Sequence, residues 1–481
     1  MGKTDFQFTD SDLQDFIRCG YVILTPDYPP KLHQTIQRKT DLAFESSDPG
    51  NRILQQVPEL QQVFNHPDVH QTLTRIVGPN YIMHPHPHRH CHVNPPQSRS
   101  QGWHQDGTPR RFNGWNHPWR RHHHLRLAMA FYYPQDVSEN MGGTGILPGT
   151  QYQNSLNRDD EFIGEIAREN QSQEFKIFGP AGTIAIVHYD IWHRATANTT
   201  DRHRYMMKFL FQRCTEPISV SPNSKLNAKN TLASQREESL VVDYHWHWFQ
   251  GHAVNKDSSG TPCTDKEANM LIDRLGENYP EPERTETIYQ LGQLGESVTD
   301  LLLEKLQNGV SEPDRLNVAA VLSIIGQSAI PGLKRVLMNS GDWWIQATAA
   351  DSLGDIGKPA AGILSALMDT VLNPRLSGIE NPDSQVADLG QWVRRNAIYA
   401  LATIAESLSE TIPVLTKALK DEHPFIRLNA INALVRIHQS DLSLENLFSD
   451  FESDLRHALG DEHPRVAEYA ADGLYHCFPV G

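Results

Sequence analysis

The sequence has few cysteines and no long apolar run. Five cysteines are scattered over 481 residues, at positions 19, 91, 214, 263 and 477, which excludes a disulfide scaffold and a Cys-x-x-Cys zinc ribbon. No uninterrupted apolar stretch approaches the roughly 20 residues of a membrane-spanning helix. The first residues also lack the apolar segment of a signal peptide. We therefore expect a cytoplasmic protein in a reducing compartment, without a membrane partner.

An excess of positive charge is missing as well. The 43 Lys and Arg are outnumbered by 58 Asp and Glu, giving a formal net charge of −15. Residues 1–260 contain 26 of each sign, whereas residues 261–481 contain 17 positive and 32 negative side chains. We expect no binding to nucleic acid, because that requires a positive face. Histidine has the opposite bias, with 19 of 24 in residues 1–260. These compositions predict two domains, residues 1–260 and residues 261–481.

The C-terminal part contains a weak internal repeat. Leucines recur within small-residue, amphipathic patterns that are typical of helices, and the segment Ala418–Pro424 (ALKDEHP) returns as Ala458–Pro464 (ALGDEHP). Each Asp-Glu-His-Pro predicts a turn before a helix, with Pro in its first positions. Stacked helix pairs would share the leucine seams between neighbours. Residues 261–481 therefore resemble a HEAT-like α-solenoid, and the alternative is an irregular helical domain.

The N-terminal part has a different pattern. Helices are predicted over residues 11–19 and about 31–44, and after residue 80 the chain breaks into short β-like runs separated by Gly, Pro and Asn turns. Many short strands of this kind favour a barrel or a jelly roll. The predicted strands cover residues 90–93, 125–133, 175–177, 182–188 and 205–212. We interpret residues 244–249 as a packed segment that closes this domain.

A candidate metal site begins with His104 and Asp106. In an extended strand, residues i and i+2 point to the same face, so these two side chains can reach one ion. A third ligand must come from a distant strand, and His193 follows the apolar run of residues 182–187. Two histidines and a carboxylate leave open positions on a metal, which is the arrangement of non-haem Fe(II) oxygenases. His188 is the rival for the third ligand, since it ends the same run.

Arg204 lies eleven residues beyond His193, across an Asn-Thr-Thr-Asp turn. A hairpin at that turn would bring Arg204 back towards the metal. A guanidinium there can hold a carboxylate through two parallel hydrogen bonds, as a chelating dicarboxylic oxo-acid requires at its far end. Arg202 is the alternative clamp, although it lies in the turn itself.

Taken together, these residues resemble the phytanoyl-CoA dioxygenase family of Fe(II)- and 2-oxoglutarate-dependent oxygenases. The likeness covers roughly residues 5–215. It includes the opening helix and strand of residues 8–24, the His104-Gln-Asp106 motif, the Leu147–Thr150 turn and the stretch from His193 to Arg204. The sequence departs from the family pattern at Ala195, where many relatives have a small hydroxyl residue, and at Gln151, where they have histidine.

The resemblance implies a double-stranded β-helix (a jelly-roll, cupin-like fold). It implies that His104, Asp106 and His193 hold Fe(II) and that Arg204 binds 2-oxoglutarate. In this family dioxygen converts 2-oxoglutarate to succinate and CO2, and the oxidant formed on iron attacks an unactivated C–H bond. Related halogenases have a small residue in place of the carboxylate, so Asp106 implies hydroxylation or another oxidative outcome.

Two further groups of residues follow from the pattern alone. Arg110, Arg111 and Trp115 come just after the His-x-Asp motif, and two guanidiniums beside an indole can bind an anionic or planar substrate. A packed, salt-bridged lid is the alternative. The alternating histidines of residues 84–92 suggest a second metal site, but the prolines among them favour an edge segment.

The sequence thus predicts an Fe(II)- and 2-oxoglutarate-dependent dioxygenase, most simply a hydroxylase of a small-molecule metabolite. Two alternatives stay open. One is a protein hydroxylase whose HEAT-like array holds the protein substrate, and the other is a non-catalytic metal-binding scaffold. The array itself predicts either a protein partner or self-association.

Overall fold

The computed structural model describes residues 6–84, 90–106, 124–153, 166–217, 239–251, 263–309, 311–372, 390–404 and 406–478. These residues form two compact units. The first holds the described residues up to 106 together with residues 125–213, and the second holds residues 124, 214–217 and the described residues from 239 onward. The domain boundary predicted at residue 260 stays a prediction. Residues 244–249, which were expected to close the first domain, lie in an α-helix, Leu240–Phe249, of the second unit.

Five helices precede the main strands of the first unit. They are α1 (Asp10–Cys19), α2 (Pro30–Ser46), α3 (Ile53–Gln56), α4 (Leu60–Phe64) and α5 (Pro67–Val77). Helix α1 begins at a capping box, in which the Thr9 hydroxyl accepts from the backbone of Asp12 and the Asp12 carboxylate accepts in return. It ends at Gly20, whose φ of 80° is the left-handed conformation that glycine adopts easily. The helices predicted over residues 11–19 and 31–44 are confirmed.

The first unit contains two antiparallel sheets. Its strands are β1 (Tyr21–Leu24), β2 (Ile82–His84), β3 (Cys91–Asn94), β4 (Leu127–Tyr132), β5 (Thr144–Ile146), β6 (Phe175–Ile177), β7 (Ile184–His188), β8 (His193–Ala195) and β9 (Arg204–Gln212). The large sheet has the order β1-β7-β4-β9-β2, with β3 also paired to β9. The small sheet has the order β6-β5-β8. The predicted double-stranded β-helix is confirmed in this arrangement of antiparallel sheets.

The core of the large sheet consists of β4, β7 and β9. Every residue of these three strands is buried, which matches their almost continuous runs of apolar side chains. Lys208, near the middle of β9, is a charged exception and is only 3% exposed. A buried charge needs an opposite charge or a set of hydrogen bonds, so this position in the core marks a polar site.

The small sheet is extended by an irregular segment that runs antiparallel to β8. Ser98 pairs with Asn198 and His104 pairs with His193 as isolated β-bridges. Between these bridges, the backbone N–H of Gln101 donates to the carbonyl oxygen of Ala195 over 2.9 Å. This segment brings the His-x-Asp motif alongside β8.

The second unit is helical. Its longer helices are Leu240–Phe249, Asp265–Asp273, Glu281–Leu294, Glu296–Asn308, Glu312–Ile325, Ile330–Asn339, Trp343–Ile356, Leu364–Leu372, Gly390–Ile404, Leu408–Ala418, Pro424–Ser440, Phe451–Ala458 and Pro464–Cys477. The helices at Pro424 and Pro464 begin with proline at the first helical position, as the two Asp-Glu-His-Pro segments predicted.

An Arg-x-Asn pattern joins successive repeats of this unit. Arg315, Arg394 and Arg427 each pair with an aspartate that precedes a later helix, namely Asp342, Asp421 and Asp461. Asn317 follows Arg315 by two positions, and its amide donates to the Leu275 carbonyl. Asn396 follows Arg394 in the same way, and its amide donates to the Ala347 carbonyl. These contacts tie each helix to its neighbours along the stack.

One stretch among the described residues is long and apolar enough to cross a membrane by length and composition alone. It runs from Asp314 to Asn339, and 78% of its most apolar window is buried inside the protein. The stretch comprises two α-helices separated by a 3-10 turn at Gly326–Ala329. Its apolar residues are therefore packed within the helical repeats, which explains the hydropathy.

Candidate metal centre

His104 and His193 are held side by side by a pair of backbone hydrogen bonds. The N–H of His104 donates to the carbonyl oxygen of His193 over 3.1 Å, and the N–H of His193 donates to that of His104 over 2.9 Å. Directly opposed residues of antiparallel strands project their side chains to the same face. The two imidazole centroids are accordingly 4.4 Å apart.

The free ring nitrogens of both histidines are identified by their hydrogen bonds. Nδ1 of His104 lies 3.1 Å from the carbonyl oxygen of Gly102, and Nδ1 of His193 lies 2.9 Å from that of Ile191. A carbonyl oxygen only accepts, so each Nδ1 carries a proton, and in the neutral imidazole Nε2 then presents a lone pair. Nε2 of His193 is buried and has no hydrogen-bond partner among the residues that the structure describes. A histidine fixed in this way is prepared to bind a metal.

Asp106 provides a carboxylate between the two rings. Its Oδ1 is 4.0 Å from Nε2 of His104, and its Oδ2 is 3.7 Å from Nε2 of His193. The extended strand predicted through this motif is wrong, because only His104 forms a β-bridge and Asp106 lies in a turn. The turn is anchored by the Gln105 amide, which donates to the carbonyl oxygens of Gln153 (2.8 Å) and Asp190 (2.6 Å).

The three side chains form one group of potential metal ligands. One ligand atom from each of His104, Asp106 and His193 lies within 4.8 Å of the other two. Two imidazole nitrogens and one carboxylate oxygen on one side of an ion suit Fe(II) and leave positions open for other ligands. The lone pair of Nε2 on His193, which no donor of the described residues uses, fits such an ion.

The surroundings of His193 favour neutral imidazole at that residue. Burial, reinforced by the neighbouring His104, lowers the pKa of His193 to about 3, against the opposing effect of Asp106. The ring is therefore neutral at pH 7, which is the form that binds a metal.

His188, the rival for the third ligand, lies outside this group. Its Nδ1 accepts a hydrogen bond from the backbone N–H of Asp190 over 3.1 Å. Burial lowers the pKa of His188 to about 3 as well. Its local role is to fix the turn between β7 and β8, which leads into His193.

Arg204 is buried at the start of β9. Its Nε donates to the carbonyl oxygen of Gly142 over 2.8 Å, and its guanidinium carbon is 5.9 Å from the ring centroid of Tyr133. Within the described part of the chain, Nη1 is buried without a hydrogen-bond partner. Burial also lowers the pKa of the guanidinium from its ordinary value. A buried donor of this kind is suited to a carboxylate, whereas the rival Arg202 is exposed.

The route of the chain to Arg204 differs from the prediction. The expected hairpin is wrong, because β8 belongs to the small sheet and β9 to the large sheet. Within β9, however, Lys208 is four positions after Arg204, and the two side chains therefore share a face of the strand. Lys208 contacts Asp106, so this face of β9 is directed to the metal-ligand group.

Several other predicted residues lie outside the described part of the chain. Arg110, Arg111 and Trp115, the proposed substrate contacts, fall in residues 107–123. His86 and His88 of the alternating histidines also lie outside the described residues, in residues 85–89. His90 is described, and its ring stacks on Phe209 with centroids 4.5 Å apart.

Lys208 is a residue of the site that the sequence reasoning missed. Its ammonium forms an ion pair with Oδ2 of Asp106, and it lies 5.8 Å from the ring centroid of Phe131. Phe131 in turn is 5.7 Å from the imidazole centroid of His193. The available signal was a single lysine among the eight residues of β9 that follow Arg204, which are otherwise uncharged.

The fold and this ligand group define the first unit as a dioxygenase-type domain. Residues 29–206 match the family described as phytanoyl-CoA dioxygenase (PhyH), and residues 385–471 match the HEAT repeats. The chain thus carries a phytanoyl-CoA dioxygenase family domain followed by HEAT repeats.

No curated protein matches the chain. Three solved structures illustrate its similarities. The non-haem alpha-ketoglutarate-dependent carbocyclase SnoK from nogalamycin biosynthesis is 16% identical, over 43% of this chain and 85% of its own, with a TM-score of 0.34. EctD from S. alaskensis, solved with 2-oxoglutarate and 5-hydroxyectoine, is 16% identical over 44% of this chain and 79% of its own, with a TM-score of 0.36. The non-haem alpha-ketoglutarate-dependent epimerase SnoN from nogalamycin biosynthesis is 15% identical over 42% of this chain and 79% of its own, with a TM-score of 0.32.

Proposed function

We propose that the protein is an Fe(II)- and 2-oxoglutarate-dependent dioxygenase that hydroxylates an unactivated C–H bond of a small molecule and releases succinate and CO2. The observation that supports this most directly is the group of His104, Asp106 and His193, whose ligand atoms lie within 4.8 Å of one another. The family match at residues 29–206 supports the same class of reaction.

The protein's part is to hold iron with three ligands and to leave the remaining positions open. The two histidines bind through Nε2 because their Nδ1 protons are engaged by backbone carbonyls. When bound, iron supplies the site at which dioxygen and 2-oxoglutarate react. Asp106 contributes one negative charge, which offsets part of the charge of the ion.

Arg204 is the proposed partner of the distal carboxylate of 2-oxoglutarate. Its guanidinium is oriented by the Gly142 carbonyl and keeps Nη1 for another acceptor. The surrounding side chains exclude water, so a carboxylate there binds to a desolvated cation and not to an exposed one. Fixing the cosubstrate at both ends sets its orientation at the metal.

Succinate formation tests this function. Purified full-length protein is supplied with ferrous iron, ascorbate and 2-oxoglutarate, and succinate is measured with and without pools of metabolites. We expect succinate to form, to increase with the pool that contains the substrate, and to be absent in His104→Ala. Metal binding without any succinate would favour the non-catalytic scaffold instead.

For the HEAT repeats, the proposal is a surface that binds a protein partner or a second copy of the chain. Their match at residues 385–471 and the 32 acidic against 17 basic side chains of residues 261–481 support a partner with a basic surface. Size-exclusion chromatography with light scattering distinguishes self-association from a monomer that is available to another protein.

A further inference from the structure

Lys208 carries a positive charge in the wall of the candidate iron site. The residue is 3% exposed, and its ammonium contacts Oδ2 of Asp106. Of the carboxylates in the described part of the chain, Asp106 is the one in ion-pair contact with it. A buried ammonium is costly without an anionic partner, so Lys208 and Asp106 compensate each other.

Metal binding changes this balance. The carboxylate that neutralises Lys208 is also the charged ligand in the metal group. Once a divalent cation is coordinated, the single negative charge of Asp106 is shared between the ion and the ammonium. The ammonium is then close to a cation and only partly compensated, which is unfavourable in a site of low dielectric constant.

The charges of the loaded site show what is still needed. Among the described residues and the expected ligands, the positive groups are ferrous iron, Lys208 and Arg204, and the negative groups are Asp106 and the dianion 2-oxoglutarate. Both histidines are counted as neutral in the loaded site, because a histidine that coordinates a metal gives the Nε2 lone pair to the ion. One positive charge is left over, and a buried site favours a ligand that neutralises it.

We propose that Lys208 binds a carboxylate of the substrate, so that the enzyme oxidises small molecules that carry one such group. This inference rests on the proposed function, and it adds a substrate class and a residue that selects it. Three observations carry it: the burial of Lys208, its contact with Asp106, and its position on the same face of β9 as Arg204. The C1 carboxylate of 2-oxoglutarate is the competing source of the same chemistry, and the experiment separates the two.

The experiment compares small carboxylic acids with their primary amides. Each acid and its amide have nearly the same shape and differ in charge. Succinate formation by the full-length protein is measured with each pair at saturating 2-oxoglutarate. The best acid is then titrated by calorimetry into protein loaded with Co(II) and 2-oxoglutarate without oxygen, which reports binding separately from turnover.

The variants are Lys208→Met, Lys208→Arg and the control Lys176→Met, a partly exposed lysine 3.5 Å from Glu139. We expect Lys208→Met to weaken acid binding at least about tenfold, as the loss of one charged hydrogen bond implies, while the affinity for the amide changes little. Lys208→Arg keeps the charge and should keep the preference for acids. Lys176→Met should behave as the natural protein.

Three results would overturn the inference. The first is a wild-type protein that shows no preference for acids over amides across the panel, whether both act or neither does. The second is a Lys208→Met protein that loses acid and amide binding equally, which indicates a role in positioning Asp106 alone. The third is a loss confined to the affinity for 2-oxoglutarate. The proposed dioxygenase function is judged separately, by basal succinate formation in the natural protein. If succinate forms, that function is retained even when the inference about Lys208 fails, and if no succinate forms, the function itself is wrong.

Discussion

His104 and His193 are a cross-strand pair whose backbones exchange two hydrogen bonds, of 3.1 and 2.9 Å. Their separation in sequence is large, yet their ring centroids are 4.4 Å apart. The backbone pairing fixes both side chains on one face before any ion is bound. A metal bound at this site would meet a prepared pair of ligands and would not have to order them itself.

The first prediction distinguishes His188, at the end of β7, from His193, at the start of β8. His193→Ala removes a ligand and should weaken Co(II) binding by about a hundredfold or more, since even the loss of an outer partner of a metal ligand costs 10–100-fold. His188→Gln should keep most of the affinity, because His188 contacts Asp190 outside the ligand group. Titration calorimetry measures both. Equal losses would show that His188 also binds the metal.

The second prediction concerns the cosubstrate. Arg204→Met removes the buried guanidinium, and the Kd for 2-oxoglutarate should rise by roughly 10- to 100-fold, as expected for a charged hydrogen-bonded contact. Iron affinity should change much less. Arg202→Met, at the exposed neighbouring position, is the matched control and should bind 2-oxoglutarate normally. A larger rise of the Kd in Arg202→Met than in Arg204→Met would show that Arg202 binds the carboxylate of 2-oxoglutarate.

The third prediction tests the support of Arg204. Gly142 has a φ of 75°, and its carbonyl oxygen accepts from Nε of Arg204. A Cβ at this position would meet the Asn94 amide, so Gly142→Ala should lower the free energy of unfolding by about 1–3 kcal/mol and also weaken 2-oxoglutarate binding. Gly341→Ala, with open space around the new Cβ, is the control. Normal cosubstrate binding in a destabilised Gly142→Ala protein would contradict the link to Arg204.

The fourth prediction concerns pH and the helical unit. The Arg427 guanidinium donates two hydrogen bonds of 2.7 Å to the Asp461 carboxylate and lowers its pKa. The ionised form is the stabilising one, so the contribution is present above the unfolded pKa of about 3.9 and is lost as pH falls through the lower folded value. Asp461→Asn should therefore cost about 1–3 kcal/mol at pH 7 and progressively less below about pH 4.

Urea denaturation followed by circular dichroism measures this difference. Glu452→Gln is the control, because the Glu452–Arg456 pair is exposed and should contribute at most about 1 kcal/mol. If the effect of Asp461→Asn is the same at pH 7 and at about pH 3, the ion pair is not its cause.

Much of the fold was predictable from local patterns. The buried runs that became β4, β7 and β9 are nearly all apolar, and the Asp-Glu-His-Pro segments preceded helices as expected. The helix Leu240–Phe249 was missed, although Val241, Tyr244 and Trp248 recur at helical spacing and are buried. The aromatic content of that segment gave no indication of which unit it would join.

That His104, Asp106 and His193 lie together could be predicted from the sequence, whereas their surroundings could not. His104, Asp106 and His193 could be selected because their residue types and order indicate a metal site. The position of Lys208 beside Asp106 depends on how the two sheets are packed, which no local spacing encodes. The Arg-x-Asn pattern of the repeats was legible at residues 315–317, 394–396 and 427–429, but its meaning depends on the stacking of helices.

Anaerobic titration of the full-length protein with Fe(II) at saturating 2-oxoglutarate tests the central claim most directly. The visible charge-transfer absorption of the iron chelate reports iron and cosubstrate in one site. We predict that it saturates at one iron per chain in the natural protein and in His188→Gln, and that it is lost in His104→Ala and His193→Ala. An absent band, or a band of equal strength in the two alanine variants, would contradict the account.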